Sequence, residues 1–259
     1  MDLQLAGRVV LVTGGSDGLG AAVARALTAE QARVAICARD EARLKLTADE
    51  LRAAGGDVLA VPADVTDVAA LDRFVKAAHS RWGRVDAIVN NAGRSAAGEL
   101  ASVTDQEWQD DLQLKVFAAI RLSRLVFDHL RASDAAAVVN VLATAAKAPP
   151  AASMPSSVSR AAGMALTKAL AGEWGPHGIR VNALLVGLVE SGQWERRATA
   201  AGTSTRTLYE RMAHDARIPL GRVGRAEEFA DVVTFLLSPR SSYVTGTALN
   251  VDGGLSPVV

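Results

Sequence analysis

The sequence predicts an α/β fold, a single domain built on a doubly wound parallel sheet of about seven strands with helices on both faces. Three observations predict it. Short β-rich apolar runs alternate with longer segments of helical period from end to end. The runs are almost continuously apolar, which is how strands buried on both faces read. The joints between runs and helices are short and carry Gly or Asp, as successive βαβ units require. At 259 residues, 49% apolar and 22% charged, the chain suits one large domain with a sizeable core and excludes bulk disorder.

In chain order, the strand-like runs are Arg8–Val12, Arg33–Cys37, Val58–Val61, Asp86–Val89, Ala136–Val141 and Ile179–Leu184. The amphipathic segments between them are Leu19–Glu30, Glu41–Ala54, Asp67–Trp82, Asp105–Leu130 and Pro155–Gly175. A last helix at Ala226–Leu237 and a strand near Ala248–Val251 close the pattern. There is no tandem repeat, low-complexity tract or linker. One stretch, 190–217, reads as irregular. It follows a strand C-terminus, where open α/β sheets place their ligands, and so reads as a substrate lid.

Composition removes several function classes. Lys and Arg total 28 and Asp and Glu total 28, a net charge of zero that argues against nucleic acid or a membrane surface as partner. A single cysteine, Cys37, excludes a disulfide scaffold and any multi-cysteine metal site, and no metal is expected. No apolar run approaches the roughly 20 residues a membrane span needs. The N-terminus carries no basic leader ahead of an apolar run. A cytoplasmic protein with a small-molecule substrate is the expectation.

The richest motif is Thr13-Gly14-Gly15-Ser16-Asp17-Gly18-Leu19-Gly20, which follows the first strand and opens the first helix. Glycines 14, 18 and 20 permit a tight turn, close approach to a pyrophosphate and close helix–sheet packing. The helix N-terminus offers unpaired N–H groups and a positive dipole end. With Asn90-Asn91-Ala92-Gly93 after the fourth strand, the chain resembles the short-chain dehydrogenase/reductase family, whose fold is the Rossmann type. Further markers are Asp64-Val65, LTKALAGEW at 166–174, IRVNALLVG at 179–187 and YVTGTALNVDGG at 243–254. The resemblance covers essentially the whole chain, so residues 1–259 read as one dinucleotide-binding domain. It implies that Gly14, Ser16, Asp17, Gly18, Leu19 and Gly20 hold phosphates and that Asp64 and Val65 flank the adenine. Asn90, Ala92 and Gly93 would lie on the adenosine side, with Val189 and Ser191 near the nicotinamide.

The end of the second strand chooses the cofactor. An acidic residue there binds the ribose 2′-hydroxyl and repels a 2′-phosphate. This chain has Ala38 then Arg39, a guanidinium suited to phosphate, so NADP(H) is preferred over NAD(H). Asp40, one residue on, offers the acid in a shifted register, and Arg39 also reads as an ordinary solvated charge.

At the catalytic positions the resemblance breaks. Family members carry a Ser, a Tyr thirteen residues later, a Lys four after that, and an Asn on the helix before the fifth strand. A phenol whose pKa is lowered by an ammonium suits proton delivery to an alkoxide. Registered through LTKALA, the Lys position falls on Arg160, the Tyr position on Ser156 and the Ser position on Ala143; the Asn position falls on Lys115. The two tyrosines, Tyr209 and Tyr243, lie far downstream. Arg160 keeps a cation for the ribose hydroxyls, and Ser156, Ser157 and Thr144 supply hydroxyls. Lys115, placed beside a second cation and partly desolvated, would have a lowered pKa and replace the Tyr as proton donor, through water held by Ser156. The competing reading makes Lys115 a structural residue bonded to backbone carbonyls.

The remaining residues read plainly. His79, His129, His177 and His214 are single, Cys37 is a core residue, Asp110-Asp111 a solvated helix face, and Lys147 a loop residue that is solvated or reaches the cleft. In the lid segment, five arginines (196, 197, 206, 211, 217) face four acids (190, 195, 210, 215), too even to point to an anionic substrate. Trp194 is a candidate for apolar substrate contact or for packing on the last helix. Three functions compete: an NADP(H)-linked oxidoreductase with a substituted proton-transfer site, a non-catalytic nucleotide-binding or scaffold protein, and a non-redox enzyme of the same pocket. The resemblance implies a homodimer or homotetramer assembled through Asp105–Leu130 and Pro155–Gly175.

Overall fold

A computed structural model describes residues 1–259, except the side chains of Gln193, Arg196 and Arg197. Seven parallel strands form one sheet in the order β3-β2-β1-β4-β6-β8-β9. They are β1 (Val9–Thr13), β2 (Arg33–Ala38), β3 (Val58–Pro62), β4 (Ala87–Asn90), β6 (Ala137–Ala143), β8 (Arg180–Val186) and β9 (Ala248–Val251). The predicted runs match these strands to within two residues at each end. Two short pieces were not legible: β5 (Ala97–Gly98) and β7 (Met154–Pro155) pair antiparallel. That pairing brings the start of α6 (Ser156–Trp174) against the loop that follows β4.

Helices α1 (Gly18–Ala29), α2 (Glu41–Ala53), α3 (Val68–Trp82), α5 (Ala118–Arg131), α6 and α9 (Ala226–Leu237) cover both faces. One core packs α1, α2 and α9 on the sheet around Val10, Val12, Ile36 and Phe229. The other packs α3, α5 and α6 around Leu11, Ile88, Phe74 and Trp174. Double burial of β1, β4, β6 and β8 is what their continuous apolar sequence demands. Several helices start on a side-chain cap: Asp40 opens α2, Asp67 opens α3, and Thr104 with Glu107 forms a capping box on α4 (Asp105–Leu112).

Two elements differ from the sequence reading. The single helix expected over 105–130 is α4 and α5 joined by a π-turn, Gln113–Phe117. The stretch 190–217 is not irregular; it holds α7 (Gly192–Ala200) and α8 (Thr205–Asp215). Both are short and polar, so they show no apolar stripe in sequence, and Ser204 caps α8 by accepting from Thr207 N. His79 and His129 are not single either, because α3 and α5 stack their rings at 4.5 Å between centroids. Cys37 is fully buried, and burial pushes its thiol up to about 12. Among the described residues no helix is long and apolar enough to cross a membrane, and no three metal-ligating side chains cluster.

Candidate active site

A cleft of about 600 Å³ opens at the C-terminal edge of the sheet. That is where parallel topology leaves strand ends and helix N-termini facing a common crevice. Its wall gathers residues from distant parts of the chain: Gly14 and Ser16 to Gly20, Arg39, Asp64 and Val65, Ala92 and Gly93, Arg160, and Val189 and Ser191. Every predicted cofactor residue is therefore in one place, with a single exception. Asn90 faces below the cleft floor, where its Nδ2 donates to Asn140 Oδ1 at 2.8 Å and Asn140 in turn donates to Thr167 Oγ1. Its amide joins β4 to β6 and α6, and it lines the small cavity beside Lys115.

The glycine loop is shaped by its neighbours. A Cβ on Gly20 would sit 2.2 Å from the Gly14 carbonyl oxygen, so only glycine lets α1 begin so close to the turn. Asn91 holds that turn, its Nδ2 donating to Thr13 O and Gly14 O. Thr13 Oγ1 accepts from the N–H groups of Asn91 and Ala92, tying the ends of β1 and β4 together. Asp17 caps α1 at Gly18 N, and Arg43 donates to its other oxygen at 3.2 Å.

Both residues of the β2 end, Arg39 and Asp40, line the cleft. Asp40 accepts from Arg43 N at 3.0 Å as the N-cap of α2, so its carboxylate has a structural task. Arg39 is exposed on the cleft wall. Burial works against the charge of Asp64, yet hydrogen bonds from Thr66 and the nearby charge of Arg39 hold its carboxyl below the usual range.

Deeper in, the π-turn places Lys115 inward with its side chain 1% exposed. Its Nζ is paired with the Asp111 carboxylate and donates to Ser156 Oγ at 2.6 Å. Asp111 accepts a second hydrogen bond, from Ser159 Oγ at 2.6 Å. Ser156 Oγ also accepts from Ala96 N at 3.0 Å, which uses both acceptor positions and leaves its own proton free to donate. Arg160 lies beside them, donating to Val141 O at 2.6 Å, with its guanidinium against Gly93. Burial pulls the Lys115 ammonium down to about 8; the Asp111 hydrogen bond opposes this, and the charges of Arg160 and Arg94 add to it. Burial also brings Arg160 to about 10, still charged at neutral pH. Between Lys115, Arg160, Thr13, Asn90 and Asn140 lies a cavity of about 20 Å³, enough for one water molecule.

Several sequence readings change here. Asp111 is not on a solvated face; it is buried and forms the carboxylate partner of Lys115. The signal was present in the i, i+4 spacing of Asp111 and Lys115 on one helix. Lys115 bonds side chains, not the backbone carbonyls of a neighbouring strand. Thr144 opens the short turn after β6 and its carbonyl accepts from Lys147 and Ala148, apart from the Lys115 hydrogen-bond set. Ser157 bonds Ser153 instead. Lys147 neither reaches the cleft nor stays solvated, since it donates to Ala248 O and Asn250 Oδ1 on β9. Trp194 lines the cleft, while Arg196 and Arg197 lie outside the described side chains.

Comparison with known proteins fits this geometry. A family model described as enoyl-(acyl carrier protein) reductase matches residues 14–256. A short chain oxidoreductase from Pseudomonas aeruginosa PAO1, described as containing an atypical catalytic center, superposes with a TM-score of 0.93 at 38% identity, covering 97% of this chain and 98% of its own. The chain belongs to the short-chain dehydrogenase/reductase family. Among curated members of that family, granaticin polyketide synthase putative ketoacyl reductase 1 of Streptomyces violaceoruber is 39% identical over 95% of this chain and 92% of its own. L-sorbose reductase of Gluconobacter frateurii, solved with NADPH and L-sorbose, superposes with a TM-score of 0.94 at 31% identity over the whole of both chains. Membership in the short-chain dehydrogenase/reductase family makes this an oxidoreductase-type chain whose relatives act on C=O and CH–OH groups.

Proposed function

We propose that the protein is an NADP(H)-dependent oxidoreductase interconverting a carbonyl and an alcohol, in which Lys115 and Ser156 deliver the proton that a tyrosine gives in other members. One observation carries it: a buried ammonium within 2.6 Å of a serine hydroxyl, beside a cleft whose far end is a glycine cradle.

The residues present fit a dinucleotide. The cleft joins the glycine loop to Ser191, α1 presents its N-terminus to it, and a Cβ on Gly18 would point into open space there. Arg39 stands free of the Asp40 cap and supports a 2′-phosphate, favouring NADP(H) over NAD(H). A bound nicotinamide would supply and accept the hydride. Arg160 would hold the nicotinamide ribose, and the segment 190–217 would close over the substrate. Ser156 donates its free proton to the developing alkoxide and recovers one from Lys115. Asp111 keeps the ammonium charged against burial until that moment, so the relay works near neutral pH. Phe117 on the π-turn and Val158 on α6 are exposed, in keeping with assembly through those helices.

The buried charge cluster also weighs against a pure scaffold, because an unused buried ion pair is costly to keep. The test is spectrophotometric: purified protein with NADPH and a panel of carbonyl compounds, wild type against Lys115→Met. Wild-type turnover reduced about 100-fold or more in the variant, with NADPH affinity retained, is the expected result. Substrate consumption without any change in nicotinamide absorbance would point to the non-redox reading.

A further inference from the structure

We infer that Arg94 is the substrate anchor and that the substrate is a carbonyl compound bearing a carboxylate, a deepening that rests on the oxidoreductase reading above. Arg94 follows the Asn90–Gly93 turn and lines the cleft, as do Leu188 and Trp194. Among the described residues its guanidinium makes no hydrogen bond and no ion pair. Arg39, the other unpaired cation of the cleft, stands at the β2 end, where the 2′-phosphate is assigned. Arg43 pairs with Asp17 and Asp40, Arg160 donates to Val141 O, and Lys115, in the adjoining cavity, serves Asp111 and Ser156.

Charge at this end of the cleft does not balance. Lys115, Arg160 and Arg94 are close enough for both arginines to disfavour the charge on Lys115. Opposite them stands one buried carboxylate, Asp111, whose oxygens already serve Lys115 and Ser159. Glu190 also lines the cleft, but its charge acts on Tyr209 and Arg222, away from this cluster. The phosphates of a bound dinucleotide would be held by the glycine loop and so would not supply the missing anion. A carboxylate on the substrate does. It would take a two-pronged hydrogen bond from the Arg94 fork while the reacting carbonyl meets Ser156. The planar guanidinium fork matches the two oxygens of a carboxylate.

The lid charges, nearly even in sequence, could not show this; the imbalance exists only once the chain is folded around Arg94.

The experiment compares pyruvate, acetoacetate and levulinate with their methyl esters in NADPH oxidation, for wild type, Arg94→Lys and Arg94→Met. NADPH titration of each variant establishes that it is folded and cofactor-competent. The expected result is an acid-over-ester preference in kcat/KM of about 10- to 100-fold for at least one pair in wild type, reduced in Arg94→Lys and abolished in Arg94→Met through KM. Equal use of acid and ester, or a preference that survives Arg94→Met, overturns the proposal. A second arm titrates the NADP-loaded protein with each acid, its ester and inorganic phosphate by calorimetry, without requiring turnover. Carboxylate binding that Arg94→Met removes supports the anchor even if no redox turnover occurs, in which case only the oxidoreductase reading fails. Phosphate binding at Arg94 with no carboxylate binding, or no anion binding at all, overturns it.

Discussion

At the scale of single residues, four side chains, Lys115, Asp111, Ser156 and Ser159, form one hydrogen-bonded chain at the site. Lys115 was legible as a candidate because it stands where the family carries an asparagine, and a lysine there changes the chemistry. Asp111 was not, since its neighbour Asp110 makes the pair look like a polar helix face; only the π-turn shows that one of the two points inward. The pH dependence follows from this pair. With Lys115 as the proposed proton source it must be protonated in the reductive direction, so the proposal predicts a rate that falls as pH rises through about 8. In the oxidative direction the neutral amine is needed and the rate rises through the same range. Asp111 opposes the burial effect on Lys115, so Asp111→Asn should lower the ammonium pKa further and move the reductive decline to lower pH. Measured kcat–pH profiles check this. An aspartate that only supported the fold would change the amplitude and leave the midpoint where it was.

At the scale of elements, most of the sheet and its covering helices could be read in advance, because double burial writes itself as continuous apolar runs and caps mark the helix starts. What could not be read has physical reasons. The π-turn inserts into an otherwise regular helical period, and such turns collect at functional sites because they redirect a side chain without ending the helix. Helices α7 and α8 are short and polar and carry no stripe. Asp40 shows its role as the cap of α2 only once the helix is placed on it. The glycine loop makes a discriminating prediction. Gly20→Ala forces a Cβ to 2.2 Å from Gly14 O and 2.5 Å from Asn91 Nδ2, so the turn and its Asn91 clamp must both shift. We expect a loss of about 1–3 kcal/mol in stability and at least about a tenfold loss in NADPH affinity. Gly172→Ala, a helical glycine of α6 whose Cβ meets nothing within 4 Å, should leave NADPH affinity unchanged and raise stability by up to about 1 kcal/mol. Urea midpoints and calorimetric NADPH titrations separate the two.

Across the whole molecule, the cleft is lined from Gly14 at one end of the sequence to Trp194 well past its middle, through the ends of β1, β2, β6 and β8. A ligand lying in it touches both halves of the sheet and binds only when the sheet is assembled. Binding and global stability are therefore linked. One ligand at 100 times its Kd stabilises the folded state by about 2.7 kcal/mol. For a chain of this size that is a rise of roughly 5–10 °C in Tm. The choice of cofactor becomes readable in the same experiment, since Arg39 adds affinity only for the 2′-phosphate. At equal concentration NADPH should raise Tm more than NADH, and Arg39→Ser should shrink the difference while leaving the NADH shift in place. Equal shifts for both nucleotides in wild type would remove the role assigned to Arg39. A larger NADH shift would return the ribose to Asp40, at the expense of its cap on α2.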